Sequence, residues 1–301
     1  MPTAIFACVS TAPIPALLTI GEMLVDELPS GARPGGGPFN CAGHFRALGG
    51  ETAVWSALGG DAHAETLTRA AARLGVDLGY VGRHATLPTG RVGVRLDADG
   101  EARYDIVHPV AWDALGELAA PEPQAVAGRF GAVATWLLGT RDSSSAEAVH
   151  GLLDGLAKRP QGPLRVADLG QRPPHTSPER LDALLRRVTL AKLNAEELAA
   201  ACEQLGLGGV GPEVLAEAYG LDTVVVTRGA AGAGSLRAGV WREVAAPTVG
   251  RVADTVGCGD AFLAGYLHAR LVGADEDAAL RAGVARGAYA ATVAGGLPEV
   301  G

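Results

Sequence analysis

Short apolar runs alternate along this chain with segments whose apolar residues recur every three or four positions. The runs at 17–20, 53–58, 133–138, 164–167, 188–193 and 223–226 are four to six residues long and mostly aliphatic. That is the length and character of strands buried on both faces. Between them, 39–48, 64–74, 145–157, 178–187 and 196–205 carry the helical spacing. Buried strands alternating with helices predict an α/β fold with a mainly parallel sheet covered on both sides. One segment departs from this. Residues 90–105 alternate with period two around Asp97-Ala98-Asp99-Gly100, a turn signal, and predict a hairpin. No internal repeat, low-complexity tract or interdomain linker interrupts the pattern.

A further helical pattern (Ala261, Phe262, Ala264, Gly265, Leu267, His268, Leu271) follows directly on Asp254-Thr255-Val256-Gly257-Cys258-Gly259-Asp260. Two glycines flank one small residue where a turn opens a helix. The backbone N–H groups of Gly257, Cys258 and Gly259 can therefore converge on one point, at which the positive end of the helix dipole also aims. Such a hole holds an anion, most naturally a phosphate. Asp260 stands at its edge, placed to take a proton from an attacking hydroxyl in phosphoryl transfer. The same heptad also reads as a helix start with turn glycines and an acidic first-turn residue.

Residues 254–262 resemble the second signature of the ribokinase-like (PfkB) carbohydrate kinases, D-T-x-G-A-G-D, with Cys258 at the alanine position. Gly35-Gly36-Gly37-Pro38-Phe39-Asn40-Cys41-Ala42 followed by Leu48-Gly49 resembles the first signature, G-G-x-x-x-N-x-A ending in L-G. The two blocks stand in the family's order, and weaker matches run from Gly21 to the C-terminus. The resemblance implies a three-layer fold with a small β lid over the sugar, formed from parts of 22–36 and 88–112. It implies a kinase domain over 17–301, with 1–16 as an N-terminal extension.

Composition narrows the function class. Hydrophobic residues make up 48% and aromatics 5%, so the core is aliphatic. A net charge of −8 argues against a nucleic-acid or membrane-surface protein. Only two of the 25 basic residues are lysines, Lys158 and Lys192. Cys8, Cys41, Cys202 and Cys258 show no CxxC spacing and read as reduced thiols of a cytosolic protein. Residues 1–16 lack a positive n-region and read as a loose extension rather than a signal peptide. Competing phosphate motifs fall away: there is no P-loop. A literal G-x-G-x-x-G at 206–211 follows a helix instead of a first strand, and reads as a helix C-cap and loop.

The remaining site residues come from chemistry and resemblance together. Asp26, after the first strand, matches the family's sugar-binding aspartate. Gly35 and Gly36 let the backbone approach the sugar. Asn40 can both donate and accept, though it also reads as a helix N-cap. Asn194 and Glu197 resemble the family's N-x-x-E motif, which tunes the magnesium and phosphate site through water; the same spacing is a plain capping box. Thr227, Gly229 and Gly232 resemble the nucleotide-side loop, and Asp254 and Thr255 suit a monovalent cation such as K+. ATP and Mg2+ are the implied cofactors and a homodimer the implied assembly. The 21–26, 111–113 and 192–197 segments resemble the fructokinase branch, so fructose is the expected acceptor. Two departures qualify this: Gly170 in Asp168-Leu169-Gly170-Gln171-Arg172, where many relatives carry Asn, and Gly60-Asp61, where Asp-Asp is common. With Arg141 and Arg172 expected to be available for an anionic group, a sugar acid such as 2-keto-3-deoxygluconate or a phosphosugar stays open. So does a silent sugar- or nucleotide-binding regulator. Cys258, at a helix N-terminus, is expected to favour the thiolate, with Asp260 opposing it.

Overall fold

The computed structural model describes residues 14–28, 31–96 and 102–299. Nine strands form the main sheet: β1 (Ala16–Ile20), β4 (Glu51–Leu58), β5 (Val81–Arg83), β8 (Ala132–Trp136), β9 (Leu164–Asp168), β10 (Leu190–Asn194), β11 (Thr223–Thr227), β12 (Ala233–Arg237) and β13 (Val240–Val244). Their order is β13-β12-β11-β10-β9-β8-β1-β4-β5. All neighbours from β5 to β11 run parallel, and β12 and β13 close one edge antiparallel.

The helices are α1 (Gly37–Ala47), α2 (Ala62–Leu74), α3 (Pro123–Arg129), α4 (Ser143–Ala157), α5 (Pro178–Leu185), α6 (Ala195–Gln204), α7 (Pro212–Tyr219), α8 (Cys258–Leu271) and α9 (Glu276–Ala290). Alternation along each strand sorts them into layers. Leu18, Ile20, Ala53, Trp55, Ala191 and Leu193 face the core built with α3 to α7. Leu17, Ala134, Val166, Leu190 and Val225 face α1, α8 and α9. Val54 and Leu58 pack against α1 and α2. This is the three-layer α/β fold. Phe39 and Phe45 of α1 are both fully buried, each worth roughly 1.5–3 kcal/mol on transfer from water, so α1 is a fixed platform for the residues in its first turn.

A second, mixed sheet of four strands is built from two insertions, β2 (Leu24–Leu28) and β3 (Gly31–Gly35) after β1 and β6 (Gly90–Leu96) and β7 (Ala102–Ile106) after β5, in the order β3-β2-β6-β7. The hairpin expected over 90–105 is β6–β7, with its turn at 97–100 outside the described residues. The run at 133–138 is strand only to Trp136, then a 3-10 turn over Leu137–Thr140. Among the described residues, α6 ends at Gln204 and Gly206 takes a left-handed φ of 63°. The G-x-G-x-x-G stretch is thus the connection between α6 and α7. No described helix is long and apolar enough to cross a membrane.

Candidate active site

Polar side chains replace apolar ones where the parallel strands end. On the α8 face, Ala134 is followed two residues on by Trp136, Val166 by Asp168, and Leu190 by Lys192. Register places Trp136 opposite Asp168, and Asp168 opposite Lys192. They form one row across β8, β9 and β10 beneath the start of α8. In open α/β sheets the carboxyl end of the strands is where ligands bind.

Asp260, in the first turn of α8, stands over this row. Its Oδ1 accepts from Trp136 Nε1 at 3.1 Å and its Oδ2 from Asn40 Nδ2 at 3.0 Å. Burial pushes its carboxyl up to about 6, and Asp168 adds to this; the Asn40 bond, Lys192 and the Trp136 bond pull the other way. The two hydrogen bonds fix the orientation of a carboxylate that still accepts a proton near neutrality. Asn40 is inside α1, not at its N-cap, which is Gly36. Its buried Oδ1 has no partner among the described residues. It therefore offers an acceptor toward whatever lies beside Asp260.

Gly257 is the N-cap of α8 with a left-handed φ of 74°. Cys258 corrects the sequence expectation in two ways. Its N–H donates to Thr255 O at 3.3 Å, so the donors without a partner among the described residues are those of Gly257, Gly259 and Asp260. Its thiol is pushed up, not down, by burial and then by Asp254 and Asp260. The other described cysteines, Cys41 and Cys202, are free and buried.

Asp26 sits on β2, half-buried, its carboxyl raised to about 6 by burial and then by Asp254. Gly35 lies against it, and a Cβ there would stand 2.6 Å from Asp26 Oδ2. Gly36 has φ 104°, and a Cβ there would overlap the carbonyl oxygen of Glu22. Asp254 accepts from Val256 N–H at 3.0 Å and from Gly295 N–H at 3.1 Å, pinning the loop before α8 to the C-terminal segment; Thr255 gives its carbonyl to Cys258.

Asn194 and Glu197 form a complete capping box on α6: Glu197 N donates to Asn194 Oδ1 and Asn194 N to Glu197 Oε2, both at 2.8 Å. Glu197 Oε1 lies 3.9 Å from Arg172 Nη1. Thr227 ends β11, and Gly229 and Gly232 shape the turn into β12. Arg141 is a correction. It is buried, pairs with Asp113 through Nε and Nη2 at 2.7 Å each, gives Nη2 also to Val107 O, and lies over the Trp112 ring at 4.0 Å. Its charge is matched internally, and only Nη1 lacks a partner among the described residues. Arg172 is exposed.

Four groups were not singled out as site residues from the sequence: Trp136, Asp168, Lys192 and Glu22. Lys192 Nζ donates to Asp168 Oδ2 at 2.9 Å, both side chains buried. Glu22 is buried with Oε2 unpartnered among the described residues, and burial raises its carboxyl to about 8, Asp260 adding to the effect. A charged residue inside an apolar strand run was the available signal for Lys192. Trp136 had none.

A model of the pfkB family carbohydrate kinases matches residues 30–298. A fructokinase of Klebsiella pneumoniae is 31% identical over 261 residues, 82% of this chain and 82% of that protein. Among solved structures, the fructokinase of Xylella fastidiosa with bound ATP aligns with a TM-score of 0.82 at 24% identity, covering 94% of this chain and 95% of that one. The aminoimidazole riboside kinase of Salmonella enterica, complexed with aminoimidazole riboside and an ATP analogue, aligns at 0.76 and 23% identity, covering 95% and 96%. The family match runs through both signature blocks and nearly the whole fold: the chain belongs to the pfkB family of carbohydrate kinases, which are phosphotransferases.

Proposed function

We propose that the protein transfers the γ-phosphoryl group of ATP to a primary hydroxyl of a small sugar, with fructose the first candidate. The observation that carries this is the Asp260 carboxylate, oriented by Asn40 and Trp136 and adjoining the unpartnered N–H groups of Gly257, Gly259 and Asp260. Asp260 takes the acceptor's proton as the oxygen attacks phosphorus, and the N–H groups stabilise charge on the group in transit. Asp26, Gly35, Gly36 and Asn40 bind the sugar. Thr227, Gly229, Gly232 and Asn194 line the nucleotide side. The small sheet acts as a lid that keeps water from competing as nucleophile.

Glu197 suits an outer role toward Mg2+. One of its oxygens is committed to the capping box, and the other, 3.9 Å from Arg172 Nη1, has room to accept from a metal-bound water as well. The ion supplies charge neutralisation on the phosphates when bound. Asp254 and Thr255, with the backbone they pin, suit a monovalent cation such as K+. A homodimer in the cytoplasm completes the reading.

The fructokinase likeness of the Klebsiella pneumoniae protein supports fructose. A sugar acid or phosphosugar is the second reading, favoured by the exposed guanidinium of Arg172 beside the Asp168–Glu197 side of the site. The test is ADP release with magnesium over ketohexoses, aldoses, nucleosides and sugar acids. Fructose should give the highest kcat/KM. Turnover confined to sugar acids would move the acceptor to the second reading.

A further inference from the structure

We propose that Lys192 binds the transferring phosphoryl group directly, as a catalytic residue, and that Asp168 is the positioning residue that holds it; this rests on the phosphotransfer reading above. Lys192 lies mid-strand in β10, 5% exposed, between Asp168 on β9 and Val225 on β11. Two residues earlier on the same face, Leu190 packs into the α8 core. An ammonium has three donors. One goes to Asp168 Oδ2, and the other two meet no acceptor among the described residues. The nitrogen lies against the anion hole itself: a Cβ on Gly259 would stand 2.9 Å from Nζ. A buried ammonium with two unspent donors thus borders the space that the N–H groups of Gly257 and Gly259 face.

Folding alone does not account for it. A buried ion pair contributes little net stability against a well-packed apolar pair, and this chain uses arginine almost everywhere else. A lysine is a compact charge that can follow a moving oxygen, where the guanidinium fork is fixed in shape. The electrostatics agree: Asp168 holds the ammonium charged, and Lys192 in turn opposes the upward shift of Asp260.

In the step, the acceptor oxygen forms its bond to the γ-phosphorus, and the bond from that phosphorus to the bridging oxygen breaks. ADP leaves with the electron pair, and the acceptor proton passes to Asp260. Lys192 stays protonated throughout and hydrogen-bonds a non-bridging oxygen. Groups facing Asp260 from the packed elements are Asn40 and Cys41 on α1, Trp136, Asp168 and Lys192 on the sheet, Glu22 after β1, and Cys258 on α8 itself.

The test uses Lys192→Met, Asp168→Asn and the double variant, in which no charge is buried alone. Lys192→Met should lower kcat about 100- to 1000-fold, the range for losing one donor to a developing oxyanion, with the acceptor KM within about threefold. Affinity for magnesium ATP, read by calorimetry, should fall at least about tenfold and that for ADP less than about threefold, since only ATP carries the γ-phosphate. The acid limb of kcat/KM should move up in Lys192→Met and down in Asp168→Asn, because both charges act on Asp260; the ATP-against-ADP difference is the readout that a merely structural ion pair would not move. The double variant should share the kcat loss of Lys192→Met. A kcat within threefold of wild type in the folded single or double variant, or equal losses of ATP and ADP affinity, overturns the proposal. If the wild type turns over no acceptor, the phosphotransfer reading fails, while the ATP-against-ADP comparison still decides Lys192.

Discussion

Arg141 and Arg172 differ in what their charge already does. Arg141 is locked on Asp113, both side chains almost wholly buried. Truncating it leaves a buried carboxylate alone, at a cost of about 3–5 kcal/mol. Arg141→Ala should therefore lower the denaturant midpoint by that equivalent. Arg172→Ala, at an exposed site with a long 3.9 Å approach to Glu197, should stay within about 0.5 kcal/mol. Equal stability losses would contradict the assignment. Glu22, Asp26 and Asp260 all have carboxyls raised by burial, to about 8, 6 and 6. A raised carboxyl binds its proton more tightly in the folded state. Its contribution is thus present at low pH and lost as pH rises through the folded value. The melting temperature should fall from pH 6 to pH 9, and Glu22→Gln, which mimics the neutral acid, should flatten that fall; an unchanged slope would show Glu22 ionised in the fold. At this scale the sequence was only partly legible. Asn40 and Asp260 were visible as candidates because the signature blocks fix their spacing, and Asp26 because it follows the first strand. Trp136 and Asp168 were not, since they meet Asp260 and Lys192 only through strand register. Arg141 misled because its partner, Asp113, lies in another segment.

Elements carry the site through where they begin and end. β8 and β9 end in Trp136 and Asp168, β10 carries Lys192 mid-strand in the same row, and α1 and α8 begin above it. The turn into α1 is the tightest point. Gly36 takes φ 104° with the Glu22 carbonyl where a Cβ would go. Gly36→Ala should cost at least about 1–3 kcal/mol from the strained backbone alone and should lower kcat by displacing Asn40. Gly60→Asp, at a position with open space, should be neutral in both. A Gly36→Ala variant as stable and active as wild type would mean the turn is free to relax. Six strands of the main sheet and α1, α2, α4, α5 and α6 were legible from hydrophobic period, because buried parallel strands read as unbroken apolar runs; the short α3 and α7 were not. β5, with three residues, was too short to register. The β12–β13 hairpin at the sheet edge was missed because β13 is partly exposed and the two strands mix glycine, serine, arginine and tryptophan with their apolar residues. α9 was missed because its small residues carry little periodicity: Ala279, Gly283 and Ala290 supply much of the buried face.

At the scale of the molecule, two sheets of different origin meet at one place. The main sheet brings the Trp136–Asp168–Lys192 row and the N-terminus of α8. The small sheet brings Asp26, close enough to the 254–256 loop for Asp254 to raise its carboxyl. The family match, over residues 30–298, takes in strands of both sheets but begins after β1 and β2. An acceptor hydroxyl held between Asp26 and Asn40 would lie next to Asp260, with the anion hole beyond it, which is the order in-line transfer needs. The most direct measurement is fructose-dependent ADP formation with magnesium ATP, wild type beside Asp260→Asn, across pH 5 to 9. The account predicts wild-type turnover that rises with pH through an acid limb near pH 6, with one sugar phosphate formed per ADP. It predicts a kcat lower by two to four orders of magnitude in the folded Asp260→Asn variant, the range expected for loss of a general base. An Asp260→Asn kcat within about threefold of wild type would contradict the account, as would ADP formation with no dependence on any sugar.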